Sequence, residues 1–189
     1  MMRYFRWRFD SKFDGCWFIE KPYFPDGKMV GIWDFMKCHA INPPYIGLSA
    51  KTFYGEVVTD VCFGAFDIIY ARPKMADAML ACAGDEIQLV PVHLDGFNED
   101  VFIVNVLNKV KCIDESRSLF EKWALGNAER PGRAGEYKMI KELFIDPNAT
   151  EGRNILRPWG WTTQVIVSEK FKEAVESVGS AGTVFIPVS

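Results

Sequence analysis

The sequence predicts an α+β protein with mixed β-sheets. Three observations carry that expectation: a strand-helix-strand pattern that occurs twice, a strand-rich opening segment, and one long β-prone run joining the two occurrences. The first copy runs Ile68 to Ala71, Pro73 to Ala83 and Ile87 to Val92. The second runs Val165 to Val167, Glu169 to Val178 and Thr183 to Val188, ninety-six residues on. Met75, Ala78, Met79 and Cys82 fall at i, i+3, i+4 and i+7, the spacing of one helical face. Phe171, Ala174, Val175 and Val178 repeat that set. Both copies close on a hydrophobic-Pro-Val ending, Val90-Pro91-Val92 and Ile186-Pro187-Val188. Helical phase is common to all amphipathic helices, so duplication of an ancestral unit and chance remain equal readings, as does placement of the copies in one sheet or two.

Along the chain, Phe5, Trp7 and Phe9 alternate with Tyr4, Arg6 and Arg8, the period of a half-buried strand. Cys16 to Ile19 and Met29 to Trp33 are two more short apolar runs expected as strands. Pro22, Pro25-Asp26-Gly27 and Asn42-Pro43-Pro44 supply turns. Pro73 suits a first helical position and Ser168 an N-cap, with Glu169 in the favourable first turn; Gly84 and Gly179 offer helix stops. Val101 to Ile113 is the longest β-prone run. Asp114 is then placed to cap a short helix through Phe120 and Trp123 toward Gly126. Residues 126 to 136 lack an apolar period and read as a surface loop. The division expected is a strand-rich N-terminal segment, 1–55, packed on an α+β domain, 56–189.

A chain of 189 residues with 49% apolar composition can bury a sizeable core. The charged opening, Arg3 to Arg8, breaks the apolar run a secretory leader needs, and no stretch approaches a membrane span, so a cytoplasmic protein is expected. Five scattered cysteines without a CxxC read as buried apolar side chains rather than a disulfide or zinc framework. The net charge of −3 is unevenly spread: residues 56 to 100 carry nine acids against Arg72 and Lys74. Such a block disfavours nucleic acid, whose phosphates need cations, and suits a basic partner or simply solvent.

Groups for catalysis are few. His39 follows Cys38, but strand neighbours face opposite ways and cannot act as nucleophile and base. His93 with Asp95, Glu99 and Asp100 resembles a carboxylate-rich turn more than a metal loop. Glycine-rich phosphate loops, G-x-S-x-G and H-E-x-x-H are all missing from the sequence. No catalytic residue, cofactor or metal ligand is therefore predicted. Contact chemistry is better represented. Arg157, Trp159 and Trp161 combine residue types that dominate interface energetics, and Asp114 and Glu115 add charge at a turn. With Asp95, Glu99 and Asp100 these are the candidate partner-binding residues.

The run Val101-Phe-Ile-Val-Asn-Val-Leu-Asn-Lys-Val-Lys-Cys-Ile-Asp-Glu-Ser-Arg-Ser118 resembles the central motif of a bacterial family of immunity proteins of polymorphic toxin systems, the MXAN-type immunity domain. Ile87-Gln-Leu-Val-Pro-Val, Val165-Ile-Val-Ser-Glu-Lys-Phe-Lys-Glu-Ala and Gly182-Thr-Val-Phe-Ile-Pro-Val are similar to other parts of it. The resemblance spans roughly residues 57 to 189. It implies a cytoplasmic antidote that binds a toxin domain and blocks it without turnover, and it supplies no catalytic residues; the acidic block would suit a basic toxin. Two other classes stay open on the residues themselves: a small hydrolase using His93 and nearby carboxylates, and a self-associating structural or regulatory protein.

Overall fold

The computed structural model describes residues 2–31, 33–42, 45–124, 126 and 131–189. In chain order the described strands and helices are β1 (Tyr4–Phe9), β2 (Phe18–Ile19), β3 (Leu48–Ala50), β4 (Thr52–Tyr54), β5 (Val61–Phe63), β6 (Ile69–Ala71), α1 (Pro73–Ala83), β7 (Ile87–Leu94), β8 (Val101–Val106), β9 (Lys109–Val110), β10 (Leu119–Lys122), β11 (Tyr137–Glu142), β12 (Ile155–Pro158), β13 (Val165–Ser168), α2 (Glu169–Val178) and β14 (Thr183–Pro187). Two five-stranded sheets, ordered β3-β7-β8-β6-β5 and β14-β1-β13-β12-β9, carry the α+β architecture. Two small ribbons, β2-β4 and β10-β11, lie apart from them.

The two strand-helix-strand copies fall in separate sheets with the same local topology. In the first sheet β8 is inserted between β6 and β7 and runs antiparallel to both, so that Ile103 faces Tyr70 on one side and Val90 on the other. In the second, β1 is inserted between β13 and β14, also antiparallel to both; Arg6 faces Ile166 and Ile186. Each unit is thus a pair of parallel strands joined by a helix and split by a third strand. The residues preceding the helices, Arg72 and Ser168, have almost superimposable backbone angles, φ −71°, ψ 161° and φ −71°, ψ 162°. Ser168 Oγ accepts the Phe171 amide at 3.2 Å, as a capping serine should. Burial follows the sequence echo position by position: Met75 with Phe171 and Met79 with Val175 are buried, and Ala78 with Ala174 and Cys82 with Val178 are half-buried.

The helices pack on each other between the sheets, in a core that takes Phe5, Trp7 and Val165 from one sheet and Val61, Ile69 and Val104 from the other. The outer face of the first sheet (Leu48, Tyr70, Val92, Ile103) is covered by Trp17, Ile19 and Phe35 of the N-terminal segment. The outer face of the second (Tyr4, Leu156, Ile166) is covered by Tyr137, Ile140 and Ile145. Residues 1–55 are therefore used in three ways: β1 is central to the second sheet, β3 is the edge strand of the first beside β7, and Trp17, Ile19 and Phe35 are layered on the first.

Three expectations are corrected. The run from Val101 to Ile113 is not one strand: β8 ends at Val106, and after Leu107 and Asn108 the chain resumes as β9 in the other sheet, parallel to β12. No helix follows Asp114. Its carboxylate instead closes a turn, accepting from the Ser116 amide and hydroxyl at 3.0 and 2.6 Å, and residues 119–122 pair with β11 as β10. Met29 to Trp33 is no strand among the described residues either; Met29 makes an isolated bridge to Tyr23 and a 3-10 turn follows at Asp34–Met36. Cys38, after that turn, holds φ at +58° rather than an extended strand conformation. Pro43, Pro44 and residues 127–130 of the expected turn and loop lie outside the described residues.

A polar clasp crosses the apolar core where β8 passes to β9. The carboxylate of Glu86, 9% exposed, accepts the backbone amides of Asn154 (2.9 Å) and Ile155 (3.0 Å) and the Asn108 side-chain amide (3.3 Å). Asn154 donates from Nδ2 to the Cys82 carbonyl at the end of α1 and accepts at Oδ1 from Ser168 Oγ, the cap of α2. One carboxylate and one amide thereby tie both helices and both sheets together. Removing the carboxylate strands two buried amides, so Glu86→Ala should lower unfolding free energy by about 2–4 kcal/mol in urea titration, whereas Asp85→Ala, one residue away and exposed, should stay within about 0.5 kcal/mol of the parent.

Candidate partner-binding surface

The acidic stretch that sequence singled out is divided by the fold. Asp95, Glu99 and Asp100 lie in the turn between β7 and β8. Tyr23 OH donates to Asp95 (2.9 Å), and Arg72 holds Glu99 (2.7 Å) and Asp60 (3.4 Å). Asp100 stands 3.2 Å from His93 Nδ1, and both side chains are largely open to solvent. This turn is fastened to the N-terminal layer by the Asp95 amide on the Ala50 carbonyl and by Phe97 against Trp17. Among the described residues, no group of three or more His, Cys, Asp and Glu side chains is placed to hold a metal ion.

Asp114 and Glu115 lie instead in the turn between β9 and β10, in the layer that covers the second sheet. Glu115 accepts from Lys122 Nζ (2.6 Å) and Tyr137 OH (2.7 Å), which hold its carboxyl below the usual range. Trp159 belongs to this second region: its amide donates to Val110 O, it is 41% exposed, and Lys111 Nζ lies 5.7 Å from its ring. Trp161 is half-buried against the outer core, with the Arg6 guanidinium over its ring.

Arg157 is a correction. It was expected at the contact surface and is 1% exposed. The alternation of β12 turns it inward, where Nη1 donates to the Thr162 carbonyl at 2.7 Å and Nε has no partner among the described residues. Complete burial pulls its pKa down to about 10, because desolvation penalises the charged form. The guanidinium braces the 158–162 turn from inside and presents nothing to a partner.

A cluster of exposed aromatic side chains lies elsewhere, at residues that pattern reading passed over. Phe9, Phe18, Phe53, Tyr54 and Phe66 meet where β2, β4 and the turn from β5 to β6 converge. Phe53 is 68% and Phe66 50% exposed. Phe18 and Tyr54 stack at 5.2 Å, with Phe53 edge-on to Tyr54. Phe66 divides the shelf into two grooves. One, of about 260 Å³, is lined by Phe18, Glu20, Lys21, Met29, Phe53 and Phe66; the other, of about 280 Å³, by Phe9, Phe18, Tyr54, Phe63, Phe66 and Asp67.

The backbone around this shelf is under constraint. Phe66 and Asp67 both lie in the left-handed region, at φ +60° and +55°, a conformation that side-chain-bearing residues adopt at a cost. Gly64 is required by proximity: a Cβ there would sit 2.4 Å from the Ile19 carbonyl oxygen. The Asp67 amide donates to the Gly64 carbonyl, but its carboxylate forms no hydrogen bond or ion pair among the described residues; desolvation by its surroundings raises its pKa above the usual carboxylate range, while Arg157 and Arg6 act on it only at longer range. Two aromatic residues bracketing a Gly-Ala pair, Phe63 to Phe66, are the only sequence signal of this arrangement, and they read equally well as core.

Comparison with known families decides what kind of molecule carries these surfaces. The immunity protein family (Imm11) profile matches residues 87–189, more than half of the chain. The chain belongs to the Imm11 immunity protein family. The matched span begins at β7 and takes in β8 to β14, the Glu86 partners Asn154 and Ile155, and the Trp159 region; the aromatic shelf lies wholly before it. A search of curated proteins returns no match.

Two predictions follow from this geometry. Gly64→Ala forces β2 and the β5–β6 turn apart and should lower stability by about 1–3 kcal/mol in chemical denaturation. Asp114, held near pH 2 by Ser116 and Arg117, should titrate near that value in carboxyl NMR. Its native pKa lies below the unfolded one, so its stabilising contribution is complete above roughly pH 4 and is lost as pH falls toward 2. Arg117→Ala should move the midpoint upward.

Proposed function

We propose that this protein is a stoichiometric antidote: it binds a cognate toxin domain in the bacterial cytoplasm and blocks it by occupying its surface, without turnover of its own. The observation that carries this reading is membership of the immunity family through residues 87–189. The surfaces supply what such a role needs. Preformed exposed aromatics provide contact area at little ordering cost, which favours slow release. The acids Asp95 and Asp100 leave a negative field beside the N-terminal layer, which speeds capture of a basic partner. Asp114, Glu115 and Trp159 form a second, separate region for contact, and Glu99 contributes less because Arg72 already neutralises it.

The hydrolase reading needs His93 to share an enclosed site with an activating group. His93 sits open to solvent and lines none of the grooves described above, so the antidote reading is the one the geometry favours. No helix among the described residues is long and apolar enough to cross a membrane. Co-expression with the toxin domain encoded beside it should restore growth to cells that the toxin otherwise kills, and the two purified proteins should form a 1:1 complex in light scattering. Soluble expression of both without rescue and without a complex would overturn the proposal.

A further inference from the structure

We infer that the groove between Phe9, Phe18, Tyr54 and Phe66, with Asp67 on its wall, is the seat for one cationic side chain, arginine or lysine, of the protein this chain neutralises. The inference rests on the antidote reading and names the partner chemistry of that role. Four observations lead to it.

The Asp67 carboxylate, bonded by no donor among the described residues and open to solvent, lines the groove beside aromatic rings. Ring faces and carboxylate both attract positive charge, and both repel phosphate or carboxylate groups. An apolar side chain would desolvate Asp67 further with no compensating bond, so a cation is the occupant that satisfies every wall. The shelf already holds a cation of its own: Lys21 Nζ lies 5.6 Å from the Phe66 ring centroid, on the neighbouring groove. At about 280 Å³ the groove has room for a single long side chain. Finally, the walls are preformed. Gly64 lets β2 approach the β5–β6 turn closely, and the left-handed pair Phe66–Asp67 projects ring and carboxylate side by side, so little ordering is required on binding. The adjoining groove, open at Phe53 and Met29, would take an apolar neighbour of the basic residue.

All shelf residues precede the family-matched span. The test uses the full-length protein and two probes. In NMR titrations with millimolar N-acetyl-arginine amide, ring signals of Phe9, Tyr54 and Phe66 should shift saturably, and Asp67→Asn should weaken that response about tenfold. N-acetyl-norleucine amide, of similar length without charge, should give no saturable shift. With the neighbouring toxin domain in calorimetry, Asp67→Asn, Tyr54→Ala and Phe66→Ala should each weaken binding tenfold or more, while Asp77→Asn on the exposed face of α1 binds as the parent does. Equal responses to the two amides would overturn the cation seat. Parent-like toxin binding by Asp67→Asn and Tyr54→Ala would place the interface elsewhere and leave the antidote reading standing. A parent protein that binds no toxin would overturn both, and dimers dissolved by Phe66→Ala would make a second copy the occupant.

Discussion

The structure depends on one buried carboxylate. Two units of similar shape meet helix to helix across an apolar core, and apolar contact has no direction: it favours closeness, not register. Glu86 supplies direction. By accepting the Asn154 and Ile155 amides it fixes where β12 starts relative to α1, and through Asn154 and Ser168 it fixes where α2 starts as well. The same carboxylate orients Asn108, at the point where the chain leaves one sheet for the other. The three donors are the start of β12, the residue before it, and the link between β8 and β9, so the clasp is satisfied only in one relative placement of the two halves.

That placement leaves two outer sheet faces to be covered, and the chain covers them differently. A layer of short strands and turns from the first fifty-five residues lies over one; the β10–β11 ribbon and the segment after it lie over the other. The similarity of the inner units and the dissimilarity of the outer layers separate two tasks. The inner units hold the molecule together. The outer layers, thin and poor in regular hydrogen bonding, present side chains that no internal neighbour needs, which is why the exposed aromatics concentrate at their margins. Strain collects there too. The left-handed Phe66 and Asp67 persist because β5 and β6 on either side, and β2 packed on Gly64, leave the turn no other path.

Arg157 shows how strand geometry overrides composition. Its neighbour Leu156 packs on the outer core and Ile155 on the inner one, so alternation directs Arg157 inward with Ile155. A guanidinium there is held by the Thr162 carbonyl, which accepts from Nη1 at 2.7 Å. The consequence reaches the surface. With the arginine holding the 158–162 turn from within, Trp159 is left outside and Trp161 lies against the outer core.

The sequence by itself determined the α+β class, both helices with their caps, the phase of their buried faces, and the family resemblance, because each of these is written in spacing along a few consecutive residues. It failed where a residue could serve two masters. Asp114 is as good a helix cap as a turn former, and only pairing with β11 chose the turn; Val101 to Ile113 is uniformly β-prone, and only the pull of Glu86 and Asn108 broke it between sheets. The candidate contact surface was readable only in part. Asp95, Asp100 and Trp159 are exposed as polar turns and a flanking glycine suggest, but the shelf joins positions 9, 18, 54 and 66, whose residues look like ordinary core aromatics in the chain. Whether an aromatic side chain faces the core or the solvent is settled by what packs over it. That is a property of the assembled layers, in which residues far apart in the chain compete for the same space, and no local pattern encodes the outcome.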